Sequence, residues 1–208
     1  SSEGYDFPPA IEKDGYLYVI SDEIYSELTY KEEHVSIASL PGMKERTILI
    51  NGFSKGFAMT GWRLGYACGP KEIVEQMVKI HQFAIMSAPT TSQYAAVEAI
   101  KNGDEDVARM RNQYDARRRL MVNGFNKIGL SCFEPKGAFY AFPCIKSTGL
   151  SSDEFCEQLL KRYNVAVIPG SAFGECGDGY IRASYCYSVE HIEEALRRIE
   201  LFINELKG

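Results

Sequence analysis

Two short runs, Leu17 to Ser21 and Thr47 to Asn51 (TILIN), are apolar without alternation and rich in β-forming residues. Continuous runs of this kind suit strands buried on both faces of a parallel sheet, not the half-wet strands of an antiparallel one. Each run ends in polar residues. The first stops at Asp22, with Tyr25 close behind; the second ends in a glycine turn that carries Lys55. In open α/β sheets ligands bind beyond the carboxyl ends of the strands. If the two strands are parallel neighbours, Asp22, Tyr25 and Lys55 converge on one pocket although they are distant in sequence.

The second turn lies in the stretch NGFSKGFAMTGWRLGY, Asn51 to Tyr66. Lys55 is flanked there by Phe53, Phe57, Met59 and Trp62, a setting expected to desolvate its ammonium and favour the neutral, nucleophilic amine. A neutral lysine can form a Schiff base with a carbonyl. Gly52, Gly56 and Gly61 permit close backbone approach, and Arg63 offers a planar fork of donors suited to phosphate or carboxylate. Taken singly, these residues also have plain readings: a snorkelling lysine, a turn-capping aspartate, a core tyrosine, a structural salt bridge at Arg63. Leu64 to Cys68 is expected to run back across the sheet, leaving Arg63 near the same pocket.

Downstream, Pro70 suits the first turn of a helix carrying Ile73, Val74, Met77, Ile80 and Ala84, and a second helix is predicted from near Pro89 to about Ile100. Asn102, Gly103 and Asp104 punctuate the chain before a long helix with Val107, Met110, Tyr114, Met121, Phe125 and Ile128 at helical spacing. The domain boundary is placed here, giving domains 1–102 and 103–208. The triplet Arg117, Arg118 and Arg119 is expected on the solvated face of that helix or paired with nearby acids. Phe139 to Phe142 reads as a strand, and Ser151 with Glu154 as a capping box opening a helix. Val165 to Ile168 reads as a further strand, followed by PGSAFGECGDG. That loop lacks the lysine and context of a P-loop, so it is read as a mobile flap. Tyr180 to Ser184 is a strand presenting Arg182. The terminal helix from Ser188 turns Ile192, Leu196, Ile199, Phe202, Ile203 and Leu206 to a core. This second half is an α+β layer.

With 208 residues, 45% of them hydrophobic and 25% charged, the chain has apolar material for a sizeable core. A net charge of −5 with mixed signs argues against a nucleic-acid partner. No apolar run reaches membrane-span length and the start SSEGYDFPP is no signal peptide, so a cytoplasmic protein is expected. Ser1 to Pro9 reads as an extended lead-in. The six cysteines show no CxxC pair, and the three histidines no ligand spacing, so no metal site is expected.

The pieces SDEIY, NGFSKGFAMTGWRLGY, PKGAFYAF and the proline-glycine loop leading into YIRASY occur in an order that resembles the class I and II aminotransferases. These are pyridoxal 5′-phosphate (PLP) enzymes of fold type I. The resemblance runs from about Ala10 onward. It implies an α/β fold comprising part of the large, cofactor-binding domain, a mostly parallel sheet with helices, plus the α+β small domain. It further implies that Lys55 holds PLP as a Schiff base and then moves the substrate α-proton, that Asp22 pairs with the pyridine nitrogen, and that Tyr25 donates to the phenolic oxygen. Arg63, with Ser54 beside it, would hold the phosphate, and Arg182 the substrate α-carboxylate. Amino-acid and 2-oxo-acid substrates and a homodimer follow from the same resemblance. Two positions depart from the pattern: Gly52 stands where several relatives carry a hydroxyl, and Gly56 where many have alanine. Family members are about twice as long, and their first half supplies a phosphate loop, a ring-stacking aromatic and an NPTG asparagine. The chain is therefore expected to be the C-terminal half of such an enzyme. A catalytically silent fragment serving as an assembly module, and a PLP-dependent β-lyase, are the alternatives.

Overall fold

The computed structural model describes residues 11–13 and 16–207, so the lead-in Ser1 to Pro9 lies outside the described residues. The chain divides into two compact units, the first ending at Arg109 and the second beginning at Met110, a break that falls inside the long helix α3 (Asp104–Lys127).

In the first unit, β1 (Ile11–Lys13), β2 (Tyr16–Asp22), β3 (Thr47–Gly52) and β4 (Gly65–Cys68) form one sheet in that order. β2 and β3 are parallel neighbours, with Asp22 opposite Ile50. β1 and β4 flank them antiparallel, so the sheet is mixed around the parallel pair expected from the sequence. Burial on both faces is not met: Leu17 and Ile20 are each 49% exposed and Ile50 is 40% exposed. Helix α1 (Lys71–Ala84) follows Pro70 as predicted, yet none of its residues is buried, and Ile80 and Phe83 stand in the open. Helix α2 (Thr90–Asn102) packs instead. Its Ala96 joins Phe53 and Met59 in a small core, with Phe57, Leu64, Ala95 and Ala99 against it.

The second unit has a three-stranded antiparallel sheet, β5 (Tyr140–Ala141), β7 (Ile181–Ser184) and β6 (Ile168–Pro169), with β7 central. The strand expected over Val165 to Ile168 is a two-residue pairing that starts only at Ile168, because Pro169 and Gly170 turn the chain away. Helices α4 (Ser152–Tyr163) and α5 (Val189–Lys207) bury Phe155, Leu159, Ile192, Ile199, Phe202 and Ile203, and the rings of Phe155 and Phe202 meet at 5.1 Å.

The capping box at α4 is formed as predicted: Ser151 Oγ accepts from the Glu154 N–H and the Glu154 carboxylate accepts from the Ser151 N–H. Ser151→Ala is expected to lower stability by about 1 kcal/mol in denaturant titrations, since one N-terminal donor loses its acceptor.

One further expectation is corrected. PGSAFGECGDG is no loose flap but two short 3-10 turns, Gly170–Phe173 and Glu175–Gly177, folded on each other. A Cβ on Gly170 would lie 2.1 Å from the Gly177 carbonyl oxygen, so the two backbones pass where only glycine fits. The start of α4 ties the loop down. Ser152 Oγ donates to the Tyr180 carbonyl (2.7 Å) and accepts from the Gly179 N–H (2.9 Å), while the Ser152 N–H donates to Asp178 Oδ1 (3.0 Å). The arginine triplet takes the second of its two expected forms: Arg118, only 1% exposed, has its guanidinium held by Asp115 and Glu134, and Arg119 also reaches Asp115.

Candidate active site

Parallel pairing of β2 with β3 sends both strand ends the same way, and the segments that follow them pack together. After β2 the chain coils through successive turns, in which Ser26 N–H donates to the Glu23 carbonyl and Leu28 N–H to that of Tyr25. Asp22 is exposed, and its Oδ1 accepts from the Ile24 N–H at 3.1 Å, so it also serves as the turn cap that the plain reading proposed. Tyr25 is half-buried. Asn51 Nδ2 at the end of β3 donates to Ser26 Oγ (3.1 Å), which joins the two strand ends directly.

The lysine turn lies against those coils. A Cβ on Gly56 would meet Glu27 Cγ at 2.9 Å, and one on Gly52 would meet Gly65 Cα at 2.9 Å and Ile24 Cδ1 at 3.3 Å. The glycine at 56 is thus matched to the side chain of Glu27 across the turn. In the first unit the coil that follows Asp22 and the turn that carries Ser54 and Lys55 therefore lie against each other. Lys55 and Ser54 are both half-buried. The apolar shell expected around Lys55 is directed elsewhere: Phe53 and Met59 point into the small core with Ala96, and Trp62 is 47% exposed. These residues fasten the turn from beneath and do not envelop the amine.

Arg63 sits at the end of a 3-10 turn in left-handed backbone (φ 51°), is exposed, and donates from Nη1 to the Thr60 carbonyl (3.0 Å). Thr60 Oγ1 in turn donates to the Ser54 carbonyl (2.8 Å), so Arg63 and Ser54 are linked through one threonine. Ser92 Oγ of α2 donates to the Trp62 carbonyl (2.7 Å) and supports the same turn.

Sequence reasoning missed Glu23. It is 6% exposed and accepts from Ser21 Oγ (3.0 Å), Ser36 Oγ (2.7 Å) and His34 Nε2 (2.8 Å). The signal was a second acid in SDEIY, which strand alternation turns to the face opposite Asp22. Burial pushes the Glu23 carboxyl up, and donation from His34, Ser36 and Ser21 outweighs it, leaving the group below the usual glutamate range. A depressed folded value contributes stability that is complete above the unfolded glutamate pKa of about 4.3 and lost as pH falls through the lower folded value. Melting temperatures measured from pH 7 down to pH 3 should show Glu23→Gln less stable than the parent at pH 7, with the gap closing toward pH 3.

Arg182 belongs to the second unit. It is half-buried on β7, and among the described residues no carboxylate pairs with it; its guanidinium carbon instead lies 4.5 Å from the centroid of each of two rings, Tyr140 and Phe173. An apolar cavity of about 430 Å³ adjoins it, walled by Met121, Phe125, Ile192 and Leu196. Among the described residues no group of acids, histidines and cysteines could hold a metal ion, and no helix is long and apolar enough to cross a membrane.

Comparison with known proteins agrees with this architecture. Residues 11–199 match the family described as aminotransferase class I and II. An aspartate aminotransferase of Pyrococcus abyssi is 50% identical over 201 residues, covering 95% of this chain and 51% of that protein. Aromatic-amino-acid aminotransferase 2 of Thermococcus litoralis is 48% identical over 201 residues, again 95% of this chain and 51% of that one. The crystal structure of an aromatic aminotransferase from Pyrococcus horikoshii superposes with a TM-score of 0.89 at 50% identity, covering 92% of this chain and 52% of that chain. The chain spans about half the length of the curated relatives it matches. On these matches and on the fold that they share, the chain belongs to the class I and II aminotransferases.

Proposed function

We propose that this chain carries the cofactor-binding lysine half of a PLP-dependent aminotransferase, which moves an amino group from an amino acid to a 2-oxo acid. The observation that carries this reading is the parallel register of β2 and β3, because it lays the Asp22–Tyr25 coil against the Lys55 turn. The donor set fits the cofactor's chemistry: an amine, a carboxylate, a phenol, a hydroxyl and a guanidinium on adjoining segments. When bound, PLP supplies an aldehyde for amine capture and an electron sink for the deprotonated substrate carbon.

Each side chain then has one task. Lys55 would hold the cofactor through its amine and carry the proton taken from the substrate α-carbon. Asp22 would be the carboxylate partner of the pyridine nitrogen and favour its protonated form. Tyr25 would donate its phenolic hydrogen to the cofactor's ring oxygen. Arg63 and Ser54 hold the phosphate, and Arg182 the substrate carboxylate, each charged hydrogen bond contributing about 1.5–3 kcal/mol. Aminotransferases and β-lyases share these tasks up to proton removal, and the names of the relatives favour the former. The full-length protein is proposed to act as a cytoplasmic homodimer.

The test is to add PLP to the chain, follow the absorbance of the bound cofactor, reduce with borohydride and locate the added mass by peptide mapping. One adduct per chain on Lys55 supports the proposal. Reduced label spread over many lysines would overturn it for this chain and favour the silent-fragment reading.

A further inference from the structure

Arg182 is a half-buried cation on which, among the described residues, rings pack and no carboxylate pairs. Two separate parts of the second unit supply those rings. Tyr140 on β5 lies opposite Ser184 of β7, so it is a diagonal neighbour of Arg182 on the same sheet face, within reach of a long side chain. Phe173 comes from the 3-10 turn Gly170–Phe173, and its ring is itself held edge-on by Phe142 (centroids 5.5 Å apart, planes at 74°). Phe142 follows directly on β5, two residues beyond Tyr140. Phe139 packs on Tyr140 with centroids 4.8 Å apart. The turn that delivers Phe173 is anchored at several points: by the crossing of Gly170 over Gly177, by Ser152 through Tyr180, Gly179 and Asp178, and by Ser171 Oγ donating to Asp153 Oδ2 (2.9 Å). None of these contacts is required to make a strand or a helix. Together they fix an aromatic ring over a guanidinium.

We propose that Tyr140 and Phe173 are positioning residues that hold the Arg182 guanidinium flat against their rings and so aim its in-plane N–H fork at a carboxylate. The inference rests on the reading of Arg182 as the carboxylate-binding group. A ring within about 6 Å attracts a guanidinium through its quadrupole and restricts rotation of the group. The N–H donors stay free, because they lie in the plane that the rings do not use. An arginine paired with aspartate would have to break that pair to bind substrate; one held by rings does not. The restriction lowers the ordering cost of bidentate binding, and its loss should show in affinity more than in any chemical step.

The experiment is side-chain nitrogen NMR on the 208-residue chain carrying ¹⁵N-arginine, with the Arg182 signal assigned from Arg182→Lys and maleate as the dicarboxylate probe. In the parent chain, ring currents should displace the Arg182 Nε proton upfield. Phe173→Leu and Tyr140→Leu should each reduce that displacement and weaken maleate binding about 3- to 10-fold. Phe173→Tyr and Tyr140→Phe, which keep the rings, should restore both. Because the two leucine variants alter different elements, global unfolding of one leaves the other to decide. An Arg182 signal and maleate affinity unchanged in the leucine variants would overturn the positioning role. A parent Arg182 signal displaced by the rings but indifferent to maleate would instead overturn the carboxylate-binding reading, while the ring clamp stands.

Discussion

Lys55→Ala is expected to abolish the borohydride-trapped PLP adduct altogether. Other arrangements can weaken cofactor binding, but only the loss of this amine removes the covalent link. On the proposed roles, Asp22, Tyr25 and Arg63 would each contribute contacts worth a few kcal/mol at most, so their substitution should leave an adduct of lower occupancy. The comparison that matters is among lysines. Lys31 and Lys44 lie in the same unit outside the glycine turn, and background labelling there should be equal in parent and variant. Lys55→Arg serves as a second control, because it keeps the charge and most of the volume while supplying no amine able to condense. Recovery of the adduct in that variant would show that trapping reports surface chemistry.

Arg118→Ala should destabilise the second unit by about 1–3 kcal/mol, read as a shift in the denaturant midpoint followed by probes in that unit. The cause is what remains. Arg118 Nε and Nη2 donate to Asp115, at 2.9 and 2.5 Å, while Nη1 meets Glu134 Oε1 at 2.7 Å and donates to the Pro135 carbonyl at 3.1 Å. Burial pulls the guanidinium's pKa down, and the two carboxylates more than reverse this, so it is charged at every working pH. Truncation opens a cavity and takes from Asp115, Glu134 and the Pro135 carbonyl the donors that Arg118 supplied, although Asp115 keeps Arg119. Arg118→Met fills that space but returns none of those donors, so it should recover only part of the loss. A midpoint unmoved by Arg118→Ala would mean that the cluster adds nothing to stability.

How much of this was legible beforehand differs between the two halves of the argument. The β2 and β3 runs, the Pro70 and Pro89 helix starts, the capping box at Ser151 and the apolar face of α5 were all readable, because each is a local pattern with a local cause. The parallel pairing that sends the ends of β2 and β3 the same way was readable as well. What sequence did not show is what decides burial between distant residues. Glu23 and His34 look like surface polar residues until the turn at Ser36 folds them together. That the triplet Arg117 to Arg119 could pair with nearby acids was readable, but which arginine is buried was not: only the chain around Glu134 and Pro135 singles out Arg118. Phe173 sat in a loop read as mobile, because the glycine crossing that immobilises it is a contact between backbones. The exposed faces of β2 and α1 were misread for the opposite reason: apolar periodicity records what a segment can bury, and here Leu17, Ile20, Ile80 and Phe83 remain in the open.

The pairing pattern of the first sheet also orders the assembly of the site in time. Lys55 and Arg63 both lie in the connection between β3 and β4, antiparallel neighbours in sequence whose ends meet at Gly52 and Gly65. Closing so short a loop costs little chain entropy. Asp22 joins them only through the parallel β2–β3 pairing, which must first gather the whole of the intervening segment and is the slower kind of contact to form. During refolding, the amine and the guanidinium should therefore share a neighbourhood before the carboxylate arrives. A chain caught between those stages would hold the groups proposed for the aldehyde and the phosphate without the one proposed to keep the ring nitrogen protonated.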